Sequence, residues 1–463
     1  MSEVVPRKQE KDYSKEVDDL LPVAESLASD GKLQEAIDKL LALEKGTRNA
    51  SDQPSTSRLL MTLVTLPYKH KNLELAFANI SVLSKKHGQI RQSVTMMVDA
   101  TLPWLDELPE GEMIKLIEVL REVTEGKIYL EVQRARVTRR LSKIREQEGK
   151  IDSATELLVE LQVETFGSMS RREKIDFILE QMRLLHLKQD WDQMAITSKK
   201  VNVKWIEDKD NEDLKLRYYA LVIILALHGD KYLDLCKHYR QIYDTPSVIE
   251  DETKWQAALR NVVYFIVLAP YDNEQSDLLA RISQDSKLQS IPECYNLAKC
   301  FTSPELMRWP GIQELYGPQL RQTKVFGPNG VKGVTNDIDE TIDAGQGDKR
   351  WEALHNRVIE HNIRTIAKYY TRITIARLAE LLDLDTSNAE TMLSKLVVSK
   401  MVYAKIDRPQ GTVNFVEKKS TDSILNDWSS DISKLMGLID KSTHLIAKEH
   451  AVFSAQAAQA SKA

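Results

Sequence analysis

Nine histidines and three cysteines are the side chains of this 463-residue chain best suited to hold a metal or to attack a carbonyl. A zinc site on a helix needs two ligands one turn apart, and a knuckle site needs a CxxC pair, because only those spacings bring two donors to one ion. His70, His87, His186, His228, His238, His355, His361, His444 and His450 include no two that stand three or four apart. HExxH and HxH pairs are therefore absent. Cys294 and Cys300 lie six positions apart with no nearby histidine and no CxxC spacing, so the pair reads as buried thiols; three cysteines including Cys236 are too few and odd in number for a disulfide framework. No G-x-S-x-G nucleophile elbow occurs. Two glycine clusters suggest phosphate loops and fail the test. Gly327 to Gly333 lacks the four-residue spacer and the Lys-Ser/Thr pair of a P-loop, and Gly345-Gln346-Gly347 lacks a third glycine and a preceding buried strand. The expectation is a chain with no catalytic residue, no metal and no cofactor.

Charge narrows the partners. A net charge of −5 and a pI near 6.1 provide no field to draw the protein to nucleic acid or to an anionic membrane. The longest apolar runs, Tyr218–Leu227 and Val262–Ala269, are about half the length of a membrane span and read as buried helices. Few cysteines and a polar N-terminus suit a reducing, intracellular compartment. Arg134, Arg136, Arg139 and Arg140 form a basic run on a helix, read as a solvated face or as a contact to an acidic neighbour.

With no chemistry to position, the elements themselves become the subject. Glycine and proline together make 31 of 463 residues, about 7%, and seven of the 17 glycines fall in 311–347. The rest of the chain is rich in helix formers and nearly free of turn formers, which makes it helical. Within it a pattern recurs: a turn residue, an apolar residue, and an aliphatic or small residue three positions on. Leu33, Leu73, Met113, Ile151, Trp191 and Tyr232 head the copies at intervals of 40, 40, 38, 40 and 41. Ala36, Ala76, Leu116, Ala154, Met194 and Leu235 follow them, sharing a helix face with the leading residue. Two helices of about 15 residues with their turns make one such period, the size of a helical hairpin in an α-solenoid. Gly31, Asn72, Gly149, Asp190 and Gly229 are expected to end the first helix of each hairpin by positive φ or by a side-chain cap. Lys254–Ala269, with the turn Pro270–Asn273, continues the series.

The pattern then changes. A helix over Trp351–Tyr370 carries Leu354, Val358, Ile359, Ile363, Ile366 and Tyr370 at helical spacing. A short strand over Thr371–Ile375, a helix to Leu382, a turn at Asp383–Ser387, a helix over Ala389–Ser399 and alternating runs Met401–Ile406 and Thr412–Val416 follow in order. That is the order of a winged helix. A last helix carries Leu425, Trp428, Ile432, Leu435, Ile439, Ser442 and Ile446 at alternating intervals of three and four, an apolar seam over three heptads. The expected organisation is a frayed 1–15, an all-α solenoid of hairpins over 16–310, a glycine-rich linker over 311–350, a small α+β winged helix over 351–420, a terminal helix over 421–450 and a flexible tail over 451–463.

A hairpin solenoid running into a winged helix and a terminal helix resembles the PCI family of proteasome-lid, signalosome and initiation-factor scaffolds. Longer strings narrow the resemblance to the lid family of the non-ATPase regulatory subunit 12 type: Val358–Ile373, Leu378–Leu384, Asn426-Asp427-Trp428, Thr443–Lys448 and, upstream, Arg134–Ser142. The loop 326–350 is longer and more polar than that type requires, and nothing is assigned to it.

The resemblance implies a non-catalytic scaffold of the 26S proteasome lid, in cytoplasm and nucleus. Its partners would be other PCI subunits, the zinc-dependent deubiquitinase of the lid, the ATPase ring and the core particle. Winged helices would pair edge to edge and terminal helices would gather in a bundle. On this chain Thr412, Val413, Asn414, Phe415 and Val416 read as the wing's outer strand, open to a neighbour's strand. Leu425, Trp428, Ile432, Leu435, Ile439 and Ile446 read as the bundle seam. A signalosome or initiation-factor scaffold is the alternative. A nucleic-acid reader is disfavoured because the second wing helix carries only Glu390 and Lys395 as charges, with no arginine fork for a base edge.

Overall fold

Residues 11–328, 346–416 and 421–460 are described by a computed structural model of the chain. Expectations that fall on 1–10, Gly330–Gly333, Gly345, 417–420 and 461–463 lie outside the described residues. The chain divides into two compact units, 1–258 and 259–463.

The first unit is a stack of helical hairpins, and five of its six second helices start at the residue the repeat places there, the third starting at Glu110 ahead of Met113. The pairs are Ser14–Ser29 with Leu33–Asn49, Gln53–Lys69 with Leu73–Lys85, Arg91–Thr101 with Glu110–Thr124, Glu131–Gln147 with Ile151–Val159, Arg171–Lys188 with Trp191–Ser198, and Glu212–His228 with Tyr232–Tyr243. The third position of the repeat decides the packing. Ala36, Ala76, Leu116, Ala154, Met194 and Leu235 are all 0% exposed. A hairpin alone cannot cover that face, so the cores of successive hairpins merge: one cluster runs from Val17 to Leu141.

Five of the six hairpin turns share one geometry. A left-handed residue ends the first helix, and the next N–H reaches back five residues: Lys32 to Leu27 O, Asn72 to Pro67 O, Lys150 to Arg145 O, Asp190 to Leu185 O and Lys231 to Ala226 O, all at 2.9–3.0 Å. The left-handed residues are Gly31, Lys71, Gly149, Gln189 and Asp230. At the fifth of these turns the expected residue is displaced by one, since Gly229 has φ −85 and Asp230 carries the positive φ. Asn72 and Asp190 instead cap the following helix, accepting from Leu75 N at 3.3 Å and Gln193 N at 3.1 Å. The third hairpin departs from the rule. A four-residue helix, Trp104–Glu107, is inserted, Pro109 opens the next helix, and Gly111 lies inside its first turn.

One expected boundary is corrected. Residues 13–15 are not frayed, because the Tyr13 N–H donates to Asp52 Oδ2 at 2.9 Å and a helix begins at Ser14. The two compact units meet at 258, within the helix Glu252–Leu268, so the expected solenoid span of 16–310 runs on into the second unit. There, helices Asn273–Ser283 and Pro292–Thr302 precede a strap that is held to the helix Gly347–Tyr369. Asn362 Oδ1 accepts from Met307 N at 2.8 Å, and its Nδ2 donates to Met307 O at 2.6 Å.

The described part of the expected linker is packed structure. Helices Trp309–Leu315 and Gly317–Leu320 lead to Val325 and Phe326, which are buried, and Phe326 meets Trp351 edge-on. The glycines here serve close backbone approach: a Cβ on Gly347 would lie 1.7 Å from Gly327 O.

The winged helix has the predicted elements. The helix Gly347–Tyr369 buries Leu354, Val358, Ile359, Ile363 and Ile366. It is followed by β1 (Arg372–Thr374), helix Ile375–Leu382, helix Thr386–Val398, β2 (Lys405–Asp407) and β3 (Thr412–Asn414). Asp383, in the left-handed region, makes the turn between the two short helices. Ile373, Ile406 and Val413 put one sheet face on the core formed by Leu378, Leu382, Leu393 and Leu396.

Candidate assembly interface

The sheet order is β1-β3-β2, with both pairs antiparallel. Arg372 and Lys405 both stand opposite Asn414, and Thr374 and Asp407 both stand opposite Thr412. The expected outer strand, Thr412–Val416, is therefore the central one. Thr412, Val413 and Asn414 are flanked on both sides, Phe415 N donates to Thr371 O at 3.0 Å, and Phe415 is buried. Val416 lies past the strand, its N–H donating to Asn414 Oδ1 at 2.9 Å. The outer strand of the β2–β3 hairpin is β2, preceded in the chain by Lys400 in the left-handed region and a non-helical stretch to Ala404. On its open face the sheet shows Arg372, Thr374, Lys405, Asp407 and Asn414. On the second short helix Glu390 is held by Arg408 at 2.6 Å, which leaves Lys395 as its exposed charge, with no arginine fork.

The terminal helix runs unbroken from Thr421 to Ala460, so the residues from 451, expected as a flexible tail, continue it to 460. Every seam residue named from the sequence is exposed: Leu425 56%, Trp428 65%, Ile432 42%, Leu435 56%, Ile439 49% and Ile446 70%. At about 100° per residue these six span an arc of about 80°. Six more exposed apolar residues, Ile424, Met436, Leu438, Leu445, Val452 and Phe453, went unnoticed in the sequence. Phe453 extends the seam, and Ile424, Leu438, Leu445 and Val452 repeat at heptad spacing along its flank, which widens the apolar arc to about 200°. The signal was present in the same register. Lys434 (with its partner Asp431 at 3.1 Å), Lys441 and Lys448 repeat at heptad spacing along one edge of that arc.

Several residues considered for chemistry are built into the scaffold, whereas Cys300, expected to be buried, is half-buried and His70, His87, His444 and His450 are exposed. Burial pushes the Cys236 thiol up to about 12 and the Cys294 thiol up to about 11, so both stay protonated and unreactive at neutral pH. His186 and His228 sit against Trp191, with the His228 ring stacked at 4.2 Å. The basic run is likewise absorbed. Arg136 grips Glu173 in a fork at 2.8 and 3.1 Å, Arg139 meets Asp176 at 2.7 Å, Arg140 meets Asp106, and Arg134 reaches Glu160 at 3.4 Å. Arg217 joins Asp176 from the next hairpin at 2.8 Å. Arg136, Arg139 and Arg140 therefore bridge neighbouring hairpins, while Arg134 stays within its own. Among the described residues no group of three or more His, Cys, Asp or Glu could hold a metal ion, and no helix is long and apolar enough to cross a membrane.

Three family profiles match in sequence along the chain: PSMD12/CSN4, N-terminal, over 35–251; the PCI domain over 299–417; and the 26S proteasome regulatory subunit RPN5 C-terminal domain over 422–454. The last covers the terminal helix. Among similar proteins, the 26S proteasome regulatory subunit rpn501 of Schizosaccharomyces pombe is 43% identical over 98% of this chain and 99% of its own. The 26S proteasome regulatory subunit RPN5 of Saccharomyces cerevisiae is 41% identical over 99% of this chain and 100% of its own. The 26S proteasome non-ATPase regulatory subunit 12 of Dictyostelium discoideum is 38% identical over 96% and 97%. Similarity of this extent runs through the solenoid, the winged helix and the terminal helix alike, and the chain belongs to the PCI-domain family of 26S proteasome regulatory subunit RPN5, or non-ATPase regulatory subunit 12.

Proposed function

We propose that the chain is a non-catalytic scaffold subunit of the proteasome regulatory-particle lid, supporting ubiquitin-dependent degradation by holding other subunits in place. The observation that carries this reading is the terminal helix, where twelve large apolar side chains are each at least 42% exposed. Covering one such half-exposed side chain contributes roughly 1 kcal/mol, so the helix offers on the order of 10 kcal/mol to partners. An apolar arc of about 200° is wider than one coiled-coil partner covers, and it suits a helix surrounded in a bundle. Its occupants are terminal helices of other PCI lid subunits. The winged helix contributes a second contact, a neighbour's strand added to β2, Lys405–Asp407, in place of the central strand. The zinc-dependent deubiquitinase, the ATPase ring and the core particle are partners of the same assembly, in cytoplasm and nucleus.

The N-terminal profile bears the names of both PSMD12 and CSN4 and does not choose between their complexes; the match over 422–454 to RPN5 favours the proteasome. Deleting the chain after Ser420 tests the reading. The shortened chain should fold, losing the helical signal of the 40-residue terminal helix but keeping its unfolding transition, and should fail to enter the lid on native gels. Normal entry refutes the bundle.

A further inference from the structure

The second unit contains a cleft of about 490 Å³ apart from the sheet and the terminal helix, a volume in the range of ligand sites. One wall is the face of the helix Gly347–Tyr369 that carries His361, Arg364, Thr365 and Lys368, at i, i+3, i+4 and i+7. The helix Asn273–Ser283 and the winged-helix residues Met401, Tyr403 and Phe415 close the other sides.

Arg364 is oriented in this cleft without being neutralised. Its guanidinium lies over the Tyr271 ring, 3.4 Å from the centroid. One NH2 group donates to His361 Nδ1 at 3.5 Å. The His361 Nε2 N–H donates to Glu305 O at 3.1 Å, which assigns the tautomer and leaves Nδ1 as an acceptor. Burial pushes the His361 pKa down to about 4, so the ring brings no charge of its own. The buried Nε of Arg364 has no hydrogen-bond partner. Among the described residues neither Arg364 nor Lys368 makes an ion pair, and no Asp or Glu lines the cleft. Glu360, the nearest acid to Arg364, is taken by Arg357 at 2.5 Å. A guanidinium with spare N–H donors beside an unpaired ammonium is complementary to a carboxylate.

We propose that this cleft receives an acidic segment of a partner protein, its carboxylate on Arg364 and Lys368 and an adjoining apolar side chain against Phe301, Met401 and Tyr403. The choice of a protein carboxylate over a free anion rests on the assembly reading above and on this apolar lining, which a bare phosphate would leave uncovered.

The test uses the full chain with p-benzoylphenylalanine in place of Ser276, an exposed lining residue, assembled into the proteasome and irradiated. The expected result is a crosslink to one partner peptide that contains Asp or Glu. Arg364→Glu and Lys368→Glu should each lower its yield on the order of tenfold, as loss of a partly desolvated charge pair implies. Changing the partner's acid to Arg should restore the yield with Arg364→Glu. Lys368 is exposed, so Lys368→Glu reports on the cleft even if Arg364→Glu does not fold. Crosslinks confined to the chain itself, or a yield that Lys368→Glu leaves unchanged, overturn the proposal. So does calorimetric binding of inorganic phosphate to the isolated chain that is lost in Arg364→Glu, when no partner crosslink forms. A wild-type chain that co-fractionates with no proteasome subunit sinks both readings, whereas assembly without a charge-dependent crosslink sinks this one alone.

Discussion

Trp428 separates assembly from stability more sharply than any other side chain of the terminal helix. A tryptophan presents up to about 250 Å² for burial, and at 65% exposure roughly 160 Å² of it remains uncovered in the isolated chain. At about 25 cal/mol per Å² its coverage by neighbouring helices contributes roughly 4 kcal/mol. Alanine retains part of that contact, so Trp428→Ala should cost about 3 kcal/mol of assembly, a factor on the order of a hundred in the concentration for half-maximal incorporation. The isolated chain should hardly notice, because an exposed substitution changes stability by about 0.5 kcal/mol or less. The assay is reconstitution with the other lid subunits over a concentration series, read on native gels, with thermal unfolding of the free chain in parallel. His444→Ala, on the face of the same helix opposite the apolar arc, is the control and should assemble as wild type. The reasoning is refuted if Trp428→Ala assembles normally. It is refuted equally if the free variant melts several degrees lower, since that would mean the ring is already packed on its own chain.

Gly149 holds φ +79 at a hairpin turn, so Gly149→Ala should lower unfolding stability by about 1–2 kcal/mol in urea titration. Ala76 is 0% exposed at the tightest position of the repeat, and Ala76→Leu should cost about 1–3 kcal/mol by overpacking, read the same way. The hydrogen bonds of Arg183, at 2.7 Å to both oxygens, hold Glu146 below the usual carboxylate range against the opposing effect of burial. A depressed folded pKa contributes stability above the unfolded value of about 4.3 and loses it as pH falls through the folded one. Glu146→Gln should therefore be less stable than wild type by about 1 kcal/mol at neutral pH, with the difference vanishing in acid; a difference that persists below both values would contradict the ion pair. Iodoacetamide at mildly alkaline pH should leave Cys236 and Cys294 unlabelled until the chain is unfolded, as mass spectrometry can follow, because burial raises both thiols well above that pH.

The features legible in the sequence are those written locally. A left-handed turn residue, an apolar residue two positions on and a small or aliphatic one three further are set by a few consecutive residues, so five of the six second helices begin where Leu33, Leu73, Ile151, Trp191 and Tyr232 place them. The third begins at Glu110, three residues before Met113, because Pro109 and an inserted short helix replace the turn. The seam from Leu425 to Ile446 was equally legible, because heptad spacing fixes which side chains share a face whatever covers them. Strand order was not. Thr412–Asn414 alternates like any wing strand, and whether it lies at the edge depends on Arg372–Thr374, some forty residues earlier, folding back beside it. Long-range pairing also decided that Arg136, Arg139 and Arg140 spend their charge on neighbouring hairpins, and that residues 309–328 pack around Phe326 where only a glycine-rich linker was read. Sequence alone thus determined most of the helices, their period and the heptad stripe of the terminal helix, since each follows from φ preferences and side-chain spacing within a few turns. Tertiary structure decided which strand is open, which charges are free and where one unit ends, because each of those depends on what lies opposite in space.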